Sequence, residues 1–215
     1  MPAITHEICG ATAAAYGIAD RCIEALLRLA EAAGYAVACR RGCGTCCDCF
    51  VMATFAEALP IALWLASPER KQRLDQFGEQ MKRRRDALGP EAAVLEGFNA
   101  GTVRLPLRGP DPSRFEEAAT AYRRRHLVCP FNAGDGSCEI YPMRPLQCRV
   151  YYVAGTSEHC RLDGHRGPAV LRHPTLTQAT ELASGILIGM SSEAGSLGRK
   201  LLPEAVASAL AWLRR

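Results

Sequence analysis

The sequence lacks any uninterrupted apolar run of the ~18 residues that a membrane-spanning helix requires. Its first 15 residues also lack the basic start and the continuous apolar stretch of a secretory signal peptide. From both absences we expect a soluble cytoplasmic protein without membrane association. Thiols stay reduced in that compartment, so disulfides are not expected.

The chain also lacks a strong excess of either charge. Its 26 Lys and Arg residues against 22 Asp and Glu give a formal net charge of +4. That balance falls short of the basic footprint of a nucleic-acid-binding domain. Arginines at 83–85 and 123–125 form two basic runs, but no aromatic residues interleave with them. We interpret these runs as solvated helix faces and expect no nucleic-acid partner.

Cysteine is too sparse for a disulfide scaffold but too clustered for ordinary packing. Eleven cysteines make up about 5% of the 215 residues, below the roughly 8–10% typical of such scaffolds. A chain of this length buries roughly 70% of its unfolded surface without covalent help. Reduced cysteines at close spacing therefore indicate metal binding before disulfide formation.

Helical periodicity, caps and breakers predict a mainly α fold. No repeat or domain boundary interrupts the pattern, so we expect one compact helical domain over residues 1–215 with a loop-rich cysteine site. The predicted helices span residues 11–33, 54–64, 67–88, 90–98, 113–126, 177–190 and 203–213.

Local signals mark several of these helices. Capping boxes at Thr54–Glu57 and Ser113–Glu116 predict two helix starts. Pro60 predicts a kink or an early break inside the first of these helices. Residues 101–112 contain three prolines and two glycines and predict a loop.

The first cysteine group holds four thiols within nine residues, Cys39, Cys43, Cys46 and Cys47. They converge only if the backbone turns tightly, which Gly42 and Gly44 permit. Backbone N–H groups near sulfur stabilise thiolates and tune a bound metal. Two adjacent cysteines project in different directions, so Cys46 and Cys47 can serve different positions or different metals.

The second group is looser and comprises Cys129, Cys138, Cys148 and Cys160. An Asp135–Gly136 step predicts a hairpin-like loop that brings the first two of these sulfurs together. Metal-bound thiolates carry negative charge, and arginines beside the candidate ligands either offset it or lie in solvent. These arginines are Arg40, Arg41, Arg144 and Arg149. Cys9 and Cys22 lie outside both groups and fit the role of small buried hydrophobes.

Both groups, in this order, resemble the cysteine-cluster (CxxCxxCC) family, whose members are described as zinc- or iron-chelating. The resemblance covers about residues 39–160, leaves helical extensions at both ends, and includes an acidic helix start at Glu57–Ala58. Cys160 falls where the family places a last cysteine. The matching strings are Cys39-x3-Cys43-x2-Cys46-Cys47, Cys129-Pro-Phe and Cys138-x-Ile-Tyr-x-x-Arg-Pro-x-x-Cys148-Arg.

The resemblance implies metal chelation by these eight cysteines in a compact, mainly helical fold, and no particular reaction. A related group, the flagellin lysine methylases, joins a similar cluster to methyl transfer. This chain is short for that enzyme and has no Gly-rich nucleotide loop after a strand. It also departs from the usual pattern at Cys49, an additional thiol, and at Asn132, where an apolar residue is usual.

Ligand type alone does not decide between metals, because zinc and iron–sulfur clusters both accept four thiolates. The first group contains no histidine, and it lacks the two complete Cys-x2-Cys pairs that are usual in zinc sites. Both features count against a zinc site. Clustered cysteines near glycine and the Cys129-Pro step are typical of ferredoxins, although the complete ferredoxin run is absent. We therefore favour a 4Fe–4S cluster, with Zn²⁺ as the alternative. The eight thiols suffice for two four-thiolate sites, or for one site with spare cysteines; copper storage fits less well.

Two classes of function remain open. One is a metal-binding module whose metal organises the fold or carries electrons, and the other is a metalloenzyme acting on a protein or small-molecule substrate beside the cluster. An open coordination position would favour the enzyme and closed four-thiolate shells the module. We assign no catalytic residue and leave a protein partner open. Five side chains near the candidate ligands are expected to pack around the site or face solvent: His126, Tyr141, Tyr151, Tyr152 and His159.

Overall fold

The helices of the computed structural model, which describes residues 2–40, 42–100, 112–160, 169–196 and 198–215, confirm the predicted mainly α fold. None of the described helices is long and apolar enough to cross a membrane. The α-helices are α1 Pro2–Ala32, α2 Phe55–Ala66, α3 Lys71–Ala87, α4 Pro90–Ala100, α5 Pro112–Arg124, α6 Leu146–Val150, α7 Pro174–Glu193 and α8 Leu202–Leu213.

Within the ranges that the structure describes, four two-residue strands form two small antiparallel pairs. Met52–Ala53 (β1) pairs with Lys200–Leu201 (β4), and Val153–Ala154 (β2) pairs with Ala169–Val170 (β3). The first pair joins segments that are distant in the sequence, and the second closes the segment between α6 and α7. They therefore tie the cysteine-bearing loops to the helices instead of forming a sheet core.

Most predicted helix positions agree with the structure, and the differences lie at helix ends. The first helix begins at Pro2, nine residues before the predicted start, because its buried face continues through Ile8. The helix predicted to start at Ser113 begins at Pro112, so Ser113 lies inside α5 and the prediction of an N-cap there is wrong. Residues 101–111 of the predicted loop lie outside the described residues.

The core lies where α1 packs on α7 and α2, and where α2 packs on α8. Helix α2 is almost wholly apolar and lies at the centre, as expected for a helix that is buried on most sides. Leu59 and Leu65 of α2 are fully buried, as are Leu187 of α7 and Val206 of α8. These four helices form a scaffold, and the cysteine-bearing segment is anchored to the same apolar core by Phe131 and Ile140.

Helix α2 is not broken at Pro60 and continues to Ala66. Proline has no N–H to donate, so the carbonyl of Ala56, four residues earlier, loses its helical partner. The Thr12 hydroxyl of α1 lies 3.1 Å from that carbonyl and 2.8 Å from the carbonyl of Ile8, and it shares its one proton between them. Packing against α1 thus satisfies the group that the proline leaves unpaired.

Candidate metal centre

A cavity of about 330 Å³ is lined by nine of the eleven cysteines. All eight predicted ligands belong to it, and Cys49 is the ninth. Cys9 and Cys22 lie on α1 and take no part in its wall. All eleven cysteines fall in the described ranges as free thiols. The thiols of the wall belong to Cys39, Cys43, Cys46, Cys47, Cys49, Cys129, Cys138, Cys148 and Cys160.

The thiols surround a volume rather than one point. Among the described residues, no group of three or more His, Cys, Asp or Glu side chains is placed to hold a single metal ion. Zinc–sulfur bonds of about 2.3 Å require the ligands of a mononuclear site to converge on one position. A polynuclear centre holds its thiolates farther apart, because the metal–sulfide core lies between them.

The first cysteine loop, residues 42–49, is built from successive tight turns. The amides of Cys43, Cys47 and Cys49 each donate to the carbonyl three residues earlier, at 3.0 Å in every case. Gly42 has φ +88°, a left-handed conformation that glycine adopts without strain. These turns bring four thiols from one short segment to the cavity wall.

The second loop is the predicted hairpin-like turn, here called the knuckle (residues 129–138). Asn132 and Cys138 form an antiparallel bridge, and the amide of Ala133 donates to the carbonyl of Ser137 at 3.0 Å. The turn of the knuckle places Cys138 beside Cys129 in the same wall of the cavity. The predicted loop geometry is therefore confirmed.

The knuckle contacts the first loop backbone to backbone. A Cβ atom on Gly136 would lie 2.6 Å from the carbonyl oxygen of Gly42, and one on Gly44 would lie 2.9 Å from the Cα of Gly136. The amide of Cys129 donates to the carbonyl of Cys47 at 2.7 Å. Neither Gly44 nor Gly136 has room for a side chain, and this close approach holds the two cysteine groups together.

Cys148 lies on α6, and a carboxylate from the core fixes this short helix. Glu57 is only 2% exposed. One of its oxygens accepts from the Thr54 amide at 2.8 Å and completes the predicted capping box of α2. The other accepts from the Leu146 amide at 2.7 Å, at the start of α6. One side chain thus caps two helices and connects the scaffold to a candidate ligand.

Arg149, next to Cys148, stabilises the fold and does not line the cavity. Its guanidinium contacts the Asp20 carboxylate at 2.6 Å and lies 3.9 Å from the centre of the Tyr16 ring. Its Nε also donates to the carbonyl of Arg144 at 2.9 Å. The hypothesis that Arg149 offsets ligand charge is therefore replaced by a role in holding the segment after the knuckle against α1.

Cys39 and Cys160 pack together in a small apolar cluster with Ala38 and Val153. The Val153 amide donates to the Cys39 sulfur at 3.3 Å, so β2 positions this thiol. Cys160 ends a short 3-10 turn, Ser157–Cys160, and its carbonyl accepts from the Arg123 guanidinium. Arg123 reaches the cavity from α5 and connects that helix to the site.

Burial makes these thiols hard to ionise. Burial, with smaller contributions from neighbouring thiolates, raises the pKa of Cys46 and of Cys129 to about 12, and burial, partly offset by the positive charge of Arg123, raises that of Cys49 to about 11. The pKa of Cys148 is raised well above its usual value, again chiefly by burial. Charged thiolates in this cavity therefore need a compensating cation, which a bound metal supplies.

Three arginines of the described residues bring positive charge to the wall. Arg144 stacks on the Tyr141 ring at 4.3 Å and donates to the Tyr152 hydroxyl at 3.2 Å. Within the described part of the chain, the buried Nε atoms of Arg123 and Arg144 have no hydrogen-bond partner. Arg40 also lines the cavity, whereas Arg41 lies outside the described residues. The donor set and the charge of the wall both fit an anionic metal–thiolate centre.

The remaining side chains named from the sequence divide into two groups. Tyr141, Tyr151 and Tyr152 line the cavity, as expected for residues that pack around the site. His126 is exposed, with its Nδ1 3.5 Å from the Asp48 carboxylate. The side chain of His159 lies outside the described residues.

Sequence reasoning missed two buried arginines. Arg84 is 6% exposed and binds Glu204 at 2.9 Å and the Tyr122 hydroxyl, while Arg123 is half-buried at the cavity. The interpretation of both basic runs as solvated faces is therefore wrong for these two residues. The sequence held one signal for the burial of Arg123. This residue directly follows Tyr122, which lies on the buried face of the amphipathic helix α5.

A scan of protein-family models, a search of curated proteins and a search of solved structures each returned no match for the chain. The resemblance to the cysteine-cluster family thus stays a prediction from the spacing of the cysteines.

Proposed function

We propose that the protein binds a metal–thiolate centre in the cysteine-lined cavity, with a 4Fe–4S cluster as the favoured occupant. The observation that carries the proposal is the gathering of nine of the eleven cysteines around one cavity of about 330 Å³. Ordinary packing places cysteines as small hydrophobes that fill space. It gives no reason for nine thiols, drawn from four separate segments, to surround a space that none of them fills.

The spread of the thiols supports a cluster over a single zinc ion. They line a volume, and a 4Fe–4S core occupies a volume between its four thiolates. When bound, such a cluster supplies one-electron transfer at a potential set by hydrogen bonds, burial and nearby charge. Arg123 and Arg144 provide nearby positive charge, and the half-buried wall limits the access of water.

We place this function in the cytoplasm. All eleven cysteines lie as free thiols, which a reducing compartment maintains. A chain with this many unpaired thiols would be exposed to oxidation and disulfide exchange outside such a compartment. Cellular fractionation with an antibody against the native chain tests this assignment.

A second candidate function is a metalloenzyme that binds a substrate beside the cluster, for example for methyl transfer. It is favoured by the non-thiol part of the wall, where Tyr141, Tyr152 and the Arg144 guanidinium offer hydrogen-bonding and cationic groups. The same groups also serve to shield and charge-balance a cluster. The metal-binding function therefore stands first, and we assign no catalytic residue.

The deciding experiment measures iron, zinc and acid-labile sulfide per chain. The protein should be purified without oxygen and without an affinity-tag metal, with Cys22→Ala as the matched control because Cys22 lies outside the cavity. We expect iron and sulfide in equal amounts and a brown colour, unchanged in the control. Zinc without sulfide would replace the cluster by a thiolate zinc centre. Protein that binds neither metal after anaerobic reconstitution would contradict the proposal.

A further inference from the structure

Asn132 lies inside the knuckle, and its backbone holds the turn together. Its amide donates to the carbonyl of Cys129 at 3.0 Å, and its backbone pairs with that of Cys138 across the turn. The side chain is partly buried and lies between two candidate ligands in the sequence. Asparagine at this position departs from the cysteine-cluster pattern, and the proposed function alone gives no reason for it.

The carboxamide of Asn132 is held in one orientation. Its Oδ1 accepts from the amide of Gly134 at 2.8 Å. A backbone N–H group can donate only to the oxygen of a carboxamide, because the NH₂ group is a donor and not an acceptor. The NH₂ group of Asn132 therefore points away from Gly134.

The NH₂ group of Asn132 faces the first cysteine loop. A Cβ atom on Gly44 would lie 2.8 Å from the Asn132 Nδ2, so this nitrogen lies directly against the Gly44 backbone. The Gly44 carbonyl accepts from the Cys47 amide at 3.0 Å, in the turn that brings Cys47 to the cavity wall. Burial raises the pKa of the Cys47 thiol, and a hydrogen bond from the Asn132 side chain opposes part of this rise.

An apolar side chain at this position would lack both polar contacts. It could fill the space between the knuckle and the first loop, but it would offer neither an acceptor to the Gly134 amide nor a donor to the first loop. Hydrogen bonds to ligand sulfurs stabilise thiolate charge and are one of the means by which a protein sets the potential of a cluster. Asparagine at position 132 thus adds a capacity that packing alone does not need.

We propose that Asn132 is a positioning residue of the metal centre, whose carboxamide spans the two cysteine loops and presents an N–H donor to the Cys47 sulfur. This inference rests on the proposed function and goes beyond it, because it assigns a residue other than cysteine that sets the properties of the bound centre. A donor beside a ligand sulfur stabilises the more negative, reduced form of a cluster. Asn132 should therefore raise the midpoint potential.

The test compares Asn132→Asp with Asp135→Asn, which exchange the same two groups in opposite directions within one turn. Each variant keeps the Oδ1 that accepts a backbone amide at 2.8 Å, from Gly134 in the first case and from Ser137 in the second. Asp135 is exposed and does not line the cavity, so only Asn132→Asp removes a donor at the site. The double variant keeps the net charge of the chain.

Each protein is reconstituted without oxygen with ferrous iron and sulfide, and a redox titration gives the midpoint potential of the bound centre. We expect a lower potential in Asn132→Asp and in the double variant, and a wild-type potential in Asp135→Asn. An unchanged potential in iron-loaded Asn132→Asp would overturn the inference and leave the proposed function intact. Equal and opposite shifts in the two single variants would also overturn it, because they would reflect net charge alone. Wild-type protein without any bound metal would instead contradict the proposed function.

A measurement on the metal-loaded wild type keeps the inference testable if a variant fails to fold or binds no iron. Nitrogen-15 NMR follows the exchange of side-chain NH₂ protons with solvent, whichever metal is bound. Those of Asn132 should exchange several-fold more slowly than those of the exposed Gln76, because the Asn132 amide is held between two loops. Equal exchange rates would overturn the contact and with it the inference.

Discussion

The helical scaffold and the cysteine site are stabilised in different ways. Helices α1, α2, α7 and α8 bury apolar side chains such as Leu59 and Leu187 against one another. The cysteine loops contact each other through glycine backbones and tight turns, and their thiols line a space that they do not fill. The comparison indicates that the scaffold folds on apolar burial, and we expect the site to reach its full stability only when the proposed metal is bound.

The largest effect is expected from a cavity in the scaffold. Leu59→Ala removes a fully buried side chain of the central helix and should lower the free energy of unfolding by about 2–5 kcal/mol. Denaturant unfolding followed by circular dichroism measures this loss. Leu29→Ala, on the exposed face of α1, is the control and should change stability by no more than about 0.5 kcal/mol. Equal effects of the two would show that α2 is not the centre of the core.

The second-largest effect is expected at Glu57, the residue that connects the scaffold to the cysteine site. Glu57→Gln replaces one carboxylate oxygen by an NH₂ group, so the amide of either Thr54 or Leu146 loses its acceptor. We expect a loss of about 1–3 kcal/mol of stability, together with weaker metal retention because α6 carries Cys148.

Chelator competition measures the metal retention of Glu57→Gln, and Glu24→Gln on the exposed face of α1 serves as the control. A variant that loses stability but holds metal as the wild type does would show that the cap on α6 does not position Cys148.

A smaller and more local effect is expected at the contact between the two loops. Gly136→Ala places a Cβ 2.6 Å from the Gly42 carbonyl oxygen at φ +86°. Gly134→Ala is a matched control, since Gly134 has φ +85° and no heavy atom within 4 Å of its added Cβ. Both variants bear the left-handed strain of about 1–2 kcal/mol. Only Gly136→Ala should lower metal content, and equal metal content in the two would remove this contact from the site.

Metal removal should leave the scaffold almost unchanged. After chelation we expect faster amide hydrogen exchange at residues 42–49 and in the knuckle. The exchange of α2 and α8 and the helical circular dichroism should stay as they were. Loss of protection throughout the helices on chelation would show that the scaffold depends on the metal as well.

The sequence predicted local features of the fold better than long-range ones. The Thr54–Glu57 capping box is confirmed because both of its partners lie within one turn of chain. The second partner of Glu57, the Leu146 amide, depends on how α6 is held by its packing on α1 and α7, which no local pattern contains. Pro60 is tolerated for the same reason, because the hydroxyl that relieves it belongs to α1.

The sequence predicted which cysteines line the cavity, but it did not predict which of them are neighbours in space. Spacing singled out the eight thiols that the structure gathers in one cavity, with Cys49 noted as an addition. Which thiols are neighbours depends on the approach of two loops separated by several helices. The burial of Arg84 and Arg123 was also missed, because a run of arginines does not show which of its members faces the interior.

The contact between Gly44 and Gly136 has a consequence for how this protein can evolve. A cysteine ligand can change place by substitution in a nearby turn, but these two positions admit no atom beyond the backbone. A side chain introduced at either position would push the two loops apart, whether or not the cavity holds a metal. A paired glycine requirement should therefore persist in divergent descendants of this chain even after individual cysteines have been exchanged.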